Sequence, residues 1–158
     1  MGTRSLTFVY DEKDVIINMY RQHDGYPTGH GAELAEFLSQ FRMTNGIHRV
    51  QHHKTGDKIA NGMGCLAAQL VSHFKGSDAG QFYLYPANAT DCGQDYEYHI
   101  YKDAEWQEPY GLRVRITDRR CNMFGLTKRN PQLIPQNDAI FDGSLAEFTE
   151  FCTKKETA

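Results

Sequence analysis

The stretch Thr3-Arg4-Ser5-Leu6-Thr7-Phe8-Val9-Tyr10-Asp11-Glu12-Lys13-Asp14-Val15-Ile16-Ile17-Asn18-Met19-Tyr20-Arg21 decides the fold class. Its first half alternates, with Leu6, Phe8 and Tyr10 on one face. Its second half resumes the alternation with Val15, Ile17 and Met19 on one face. The intervening Asp11-Glu12-Lys13-Asp14 is a polar turn. Two runs of period two around a short turn predict a β-hairpin.

Further along, Gly25-Tyr26-Pro27-Thr28-Gly29-His30-Gly31 is a glycine-punctuated loop. Leu34, Phe37, Leu38 and Phe41 then follow helical spacing over 32–41. Residues 42–58 are polar and read as a loop. A second helix is expected over 59–74, with Met63, Leu66, Leu70 and Phe74 buried and Gly76 as its stop. Strands are expected at 81–85, 96–102 and 112–117, and 121–126 is a further candidate. Residues 127–139 contain Pro131 and Pro135 and read as a surface connection. Ser144-Leu145-Ala146-Glu147 is a capping box that opens a last helix burying Leu145, Phe148 and Phe151 or Cys152. The tail over 153–158 should fray. The order ββ-α-α-ββ(ββ)-α lacks the strand–helix alternation of a parallel sheet. The expectation is one α+β domain over 1–152, an antiparallel sheet with helices mainly on one face.

A length of 158 residues fits one domain that needs no disulfide or metal to hold it together. Nine Tyr, nine Phe and one Trp argue against disorder. The net charge of −3 argues against non-specific nucleic-acid binding, which rests on a basic surface. A small anion remains compatible, because a pocket needs only a few local cations. Cys65, Cys92, Cys121 and Cys152 are widely spaced, and no secretion signal is visible, so free thiols are expected. No apolar run approaches membrane-spanning length.

The densest chemistry lies in Tyr20-Arg21-Gln22-His23-Asp24-Gly25-Tyr26-Pro27-Thr28-Gly29-His30-Gly31. This run leaves a strand, turns through glycines and enters a helix, where free backbone N–H groups suit an anion. The candidate ligand-binding residues are Arg4, Tyr20, Arg21, Gln22, Asp24, Tyr26, Gly29, His30 and Gly31. Arg4 and Arg21 would clamp a phosphate. Tyr20 and Tyr26 would stack on a base. The Gly29, His30 and Gly31 amides would face the anion, while Gln22, Asp24 and His30 would bond polar edges. The plainer reading is a strand-to-helix turn whose glycines serve backbone geometry.

Other features carry less. Asn61-Gly62-Met63-Gly64 matches neither a phosphate loop nor a dinucleotide fingerprint, and reads as close helix packing. His48, His52 and His53 lack the carboxylate of a metalloprotease pattern, so no metal is expected. Arg113 and Arg115 should line a solvated sheet face opposite acidic neighbours. No Gly-x-Ser-x-Gly elbow or recognisable cysteine nucleophile is present, and no cofactor or catalytic residue is implied.

The opening Met1-Gly2-Thr3-Arg4-Ser5-Leu6-Thr7, the run from Met19 to Gly31, and Ile140-Phe141-Asp142-Gly143-Ser144-Leu145-Ala146-Glu147-Phe148 resemble a family of small uncharacterised proteins of bacteria and their phages. The resemblance implies a cytoplasmic setting in a bacterial host, and by analogy a role in phage counter-defence. The leading expectation is sequestration, without turnover, of a small phosphate-bearing ligand such as a nucleotide-type immune signal. One alternative is a phosphodiesterase-like hydrolase using His23 or His30, with Asp24 paired to His30 across the loop. Another is a protein-interaction inhibitor of a host enzyme presenting Trp106 and Tyr110. Self-association into a homo-oligomer would suit a site built between subunits.

Overall fold

The computed structural model of the chain describes residues 2–44, 58–103, 111–120 and 139–154. Expectations for residues 45–57, 104–110, 121–138 and 155–158 lie outside the described residues. These include His48, His52, His53, Trp106, Tyr110 and Cys121.

The hairpin forms as its alternation predicts. Strand β1 (Ser5–Asp11) pairs antiparallel with β2 (Asp14–Arg21). One feature of the register was not anticipated. Val9 opposes Ile17 but Tyr10 opposes Val15, so Ile16 has no partner across the ladder. An extra residue in one strand reverses which face the following side chains take. Val15 therefore joins Leu6, Phe8 and Tyr20 on one face, while Ile17 and Met19 pack on the other. The expected common face for Val15, Ile17 and Met19 is corrected by this bulge.

A π-helical turn (Pro27–Gly31) leads into α1 (Ala32–Leu38). Two four-residue strands follow, β3 (Phe41–Thr44) and β4 (Lys58–Asn61), which pair parallel in a separate small sheet. Helix α2 (Gly62–Lys75) begins directly after β4. Its Gly62 adopts φ +84 and has open space around it, as does Gly64. Backbone conformation, not close helix packing, accounts for Gly62. Then come β5 (Phe82–Tyr85), β6 (Tyr96–Lys102), β7 (Leu112–Asp118), β8 (Ala139–Ser144) and α3 (Leu145–Thr153).

The six-stranded sheet runs in the order β5-β2-β1-β6-β7-β8. Its pairs are antiparallel except β1 with β6, which run parallel at the centre. The sheet is therefore mixed, and the α+β class holds. The helices share one face. There Val9, Met19, Tyr98, Ile100, Val114 and Ile116 meet Leu34, Leu66, Leu70 and Phe148 in one buried cluster. Each such aliphatic side chain contributes roughly 1.5–3 kcal/mol of burial. The opposite face holds the smaller cluster of Leu6, Phe8 and Tyr20, with Cys92 against it. Asn18 secures the segment above that face, its Nδ2 donating to Pro86 O at 3.1 Å and Ala89 O at 2.8 Å. Cys65, Cys92 and Cys152 are free thiols. Among the described residues, no helix is long and apolar enough to cross a membrane.

Candidate functional site

Arg21 ends β2 and lies on the same face as Met19, so its side chain enters the helix layer beside α1. The loop that follows is shaped by Pro27, which holds Tyr26 in an extended conformation (φ −72, ψ 161). The chain then closes into the π-helical turn and carries His30 inward, where it is fully buried. His30 sits edge-on to Tyr98 at 5.1 Å and near Phe74 at 5.3 Å, measured between ring centroids.

The polar contacts form a chain. Arg21 Nη1 donates to His30 Nδ1 at 3.1 Å. A guanidinium can only donate, so Nδ1 accepts and the ring proton resides on Nε2. Nε2 then donates to Thr7 Oγ1 at 2.8 Å. Burial, with the Arg21 charge beside it, pushes the His30 pKa down to about 3. Arg21 Nη1 also forms a close ion pair with Glu33, in the first turn of α1. Its Nε donates to His23 O at 2.5 Å, and its guanidinium lies over the Phe82 ring at 5.1 Å. The Arg21 side chain is 7% exposed and that of Glu33 is 53% exposed.

Two hollows meet at this pair. One, of about 630 Å³, lies between the loop, α1 and α3 and is lined by Arg21, Asp24, Tyr26, Glu33, Glu36 and Thr149. The other, of about 450 Å³, is lined on its far side by His73, Asp78 and Phe82. Three carboxylates line the larger hollow against one guanidinium, so its field is acidic unless a ligand changes the pairing.

The structure divides the sequence-predicted site. Arg21, Asp24, Tyr26 and Gly29 line the larger hollow, and His30 stands behind Arg21. Gly31 instead packs against Cys152, where an added Cβ would come within 2.7 Å of the sulfur. Arg4, Tyr20 and Gln22 belong to the opposite face of the sheet. Tyr20 stacks on Tyr85 at 5.0 Å and donates its hydroxyl to Gln22 Oε1 at 2.8 Å. Arg21 opposes Ser5 in the hairpin, so Arg4 stands one residue out of phase and faces away. The expected clamp of Arg4 with Arg21 is corrected on this ground.

The loop amides are also committed. Gly29 N donates to Tyr26 O at 2.9 Å, His30 N to Asp24 O at 2.8 Å and Gly31 N to Tyr26 O at 3.4 Å. The turn closes on its own carbonyls and does not present these N–H groups to an anion. Asp24 meets His30 through its backbone carbonyl, while its carboxylate takes the Tyr26 hydroxyl at 3.4 Å. Both ring nitrogens of His30 are engaged within the protein and burial holds its pKa far down, which counts against its use in the hydrolase reading. His23 is exposed at the far end of the loop.

Glu33 and Glu36 were missed in the sequence. Their spacing of three puts both on one side of α1, and that side was legible from the helix period. Thr7 gave no signal, since a buried threonine in a strand is ordinary. Among the described residues, no group of three or more His, Cys, Asp or Glu could hold a metal ion. No family model, curated protein or solved structure matches the chain.

Proposed function

We propose that the larger hollow binds a small phosphate-bearing ligand, and that the ligand's anion replaces Glu33 on Arg21. One observation carries this reading. A buried guanidinium at the floor of an open hollow has, among the described residues, a single carboxylate partner, and that partner is a half-exposed side chain. The Glu33 end of the pair reaches solvent, so Glu33 can turn outward when a ligand anion takes its place and leaves the buried guanidinium paired. A phosphate offers the same guanidinium a bidentate match.

The remaining carboxylates set the ligand's charge. Asp24 and Glu36 repel a polyanion but accept hydrogen bonds from hydroxyl and amino groups. A nucleotide carrying one or two negative charges fits, and a triphosphate does not. Tyr26, 39% exposed, offers a ring face at the rim. In the bacterial or phage setting that the resemblance implies, binding without turnover amounts to sequestration of a nucleotide-type signal.

Calorimetry against AMP, ADP-ribose and cyclic dinucleotides tests the reading, with ATP as the disfavoured comparison. Heat from at least one of the former and a weaker response to ATP is expected. Chromatography after denaturation should return the bound ligand intact. Silence across the panel overturns the proposal, and recovery of a cleaved product favours the hydrolase instead.

A further inference from the structure

A second cluster lies on the sheet face away from the hollow. Arg4 immediately precedes β1, Arg119 immediately follows β7, and β6 begins between them. Arg4 O accepts from Asp95 N at 2.9 Å and Tyr96 N at 3.2 Å, while Arg119 N donates to Asp95 O at 2.7 Å. Two interstrand spacings separate the arginines, roughly 10 Å between Cα atoms. Two arginine side chains are long enough to span that gap.

Both side chains extend from the face that carries Leu6 and Glu97. Arg119 Nη1 lies 3.4 Å from Glu97 Oε2. Arg4 Nη1 lies beside Gly93, 3.4 Å from where a Cβ would stand. Glu97 is already engaged, accepting from Gln94 Nε2 at 2.7 Å and facing His99 Nε2 at 3.2 Å. Gln94 in turn holds Thr90 O at 2.7 Å and Cys92 N at 2.8 Å. The 90–94 segment is thus fixed as a wall beside Arg4. Neighbouring Arg120 is taken by Asp118, 2.7 Å away.

Arg4 and Arg119 both keep unused donors. Among the described residues, Arg4 Nε and Arg119 Nε and Nη2 are buried with no hydrogen-bond partner. A buried charged donor without an acceptor is destabilising, and such groups call for an acceptor. Arg4 as a whole is only partly buried, which leaves an approach from solvent. Guanidinium forks match tetrahedral oxyanions in geometry and charge. We propose that Arg4 and Arg119 form a site for a phosphate oxyanion, taken either free or as the terminal group of a monoester. The site is independent of the hollow, because Arg21 points to the opposite face.

Thermal melting tests it, with inorganic phosphate and AMP compared against sodium chloride at matched ionic strength. Phosphate at about tenfold its Kd should raise the midpoint by about 4 °C beyond the salt control. Arg4→Met and Arg119→Met should each abolish that increment, whereas Arg120→Met, which removes a guanidinium already held by Asp118, should keep it. Movement of the Arg4 and Arg119 Nε–H resonances with both probes assigns the site to either source, and movement with phosphate alone assigns it to the free anion. In wild-type protein, the Nε–H resonances of Arg4 and Arg119 should move together on phosphate titration, a readout that needs no variant. No increment over chloride, an increment that survives both Met variants, or unmoved Arg4 and Arg119 resonances overturns the proposal.

Discussion

Both ring nitrogens of His30 are occupied, Nδ1 by Arg21 and Nε2 by Thr7, and the ring is fully buried. Its ordinary pKa of 6.5 is lowered to about 3 by burial and by Arg21. The unfolded chain therefore takes up a proton on this residue before the folded chain does. Its contribution to stability is complete above 6.5 and declines as pH falls from 6.5 toward 3. About 2 kcal/mol should be lost by about pH 5. Urea denaturation at about pH 7 and about pH 5 should show this loss in wild type and a shallower one in His30→Asn. Equal slopes in the two proteins would contradict the assignment. At this scale the sequence displayed Arg21, Asp24, Tyr26 and Gly29 as neighbours of one loop, and they do line one hollow. It could not display that Arg4 lies across the sheet, because that depends on the hairpin register.

Among the elements, the hairpin and the last helix were legible because their signals are local. Ser144 accepts from Glu147 N at 3.2 Å, and the Glu147 carboxylate accepts from Ser144 N at 2.9 Å. Ser144→Ala should lower stability by about 1 kcal/mol in chemical denaturation, through the lost cap. A change below the error of the measurement would contradict a stabilising cap. Strands β3 and β4 were not legible. Phe41-Arg42-Met43-Thr44 and Lys58-Ile59-Ala60-Asn61 are too short for alternation to register, and they exist through a pairing between distant segments. The same applies to β8, where Gly143 sits against the Phe141 ring and Glu147. The parallel contact of β1 with β6 was equally invisible, since it joins residues about ninety positions apart.

The whole molecule presents two faces of unlike character and one guarded edge. Strand β5 lies at the end of the sheet and exposes Tyr83, Leu84 and Tyr85. Edges of this kind recruit other strands unless they are blocked. Lys75 supplies the block, its Nζ donating to Phe82 O at 2.8 Å and lying 5.3 Å from the centre of the Tyr83 ring. Lys75→Ala should free that carbonyl and increase self-association, seen as a larger species in sedimentation velocity at equal concentration. An unchanged profile would show that the lysine does not guard the edge. On the helix-covered face, the proposed ligand would meet an acidic hollow, which composition alone could not show. The net charge of −3 is a property of the whole chain, whereas Asp24, Glu33 and Glu36 line one hollow together with Arg21.

The exchange of partners at Arg21 is tested most directly by the ratio of AMP dissociation constants for wild type and Glu33→Gln at low salt. Removing the competing carboxylate should tighten binding by about fivefold, the equivalent of about 1 kcal/mol of lost competition. Affinity that is unchanged or weaker in Glu33→Gln would contradict the exchange.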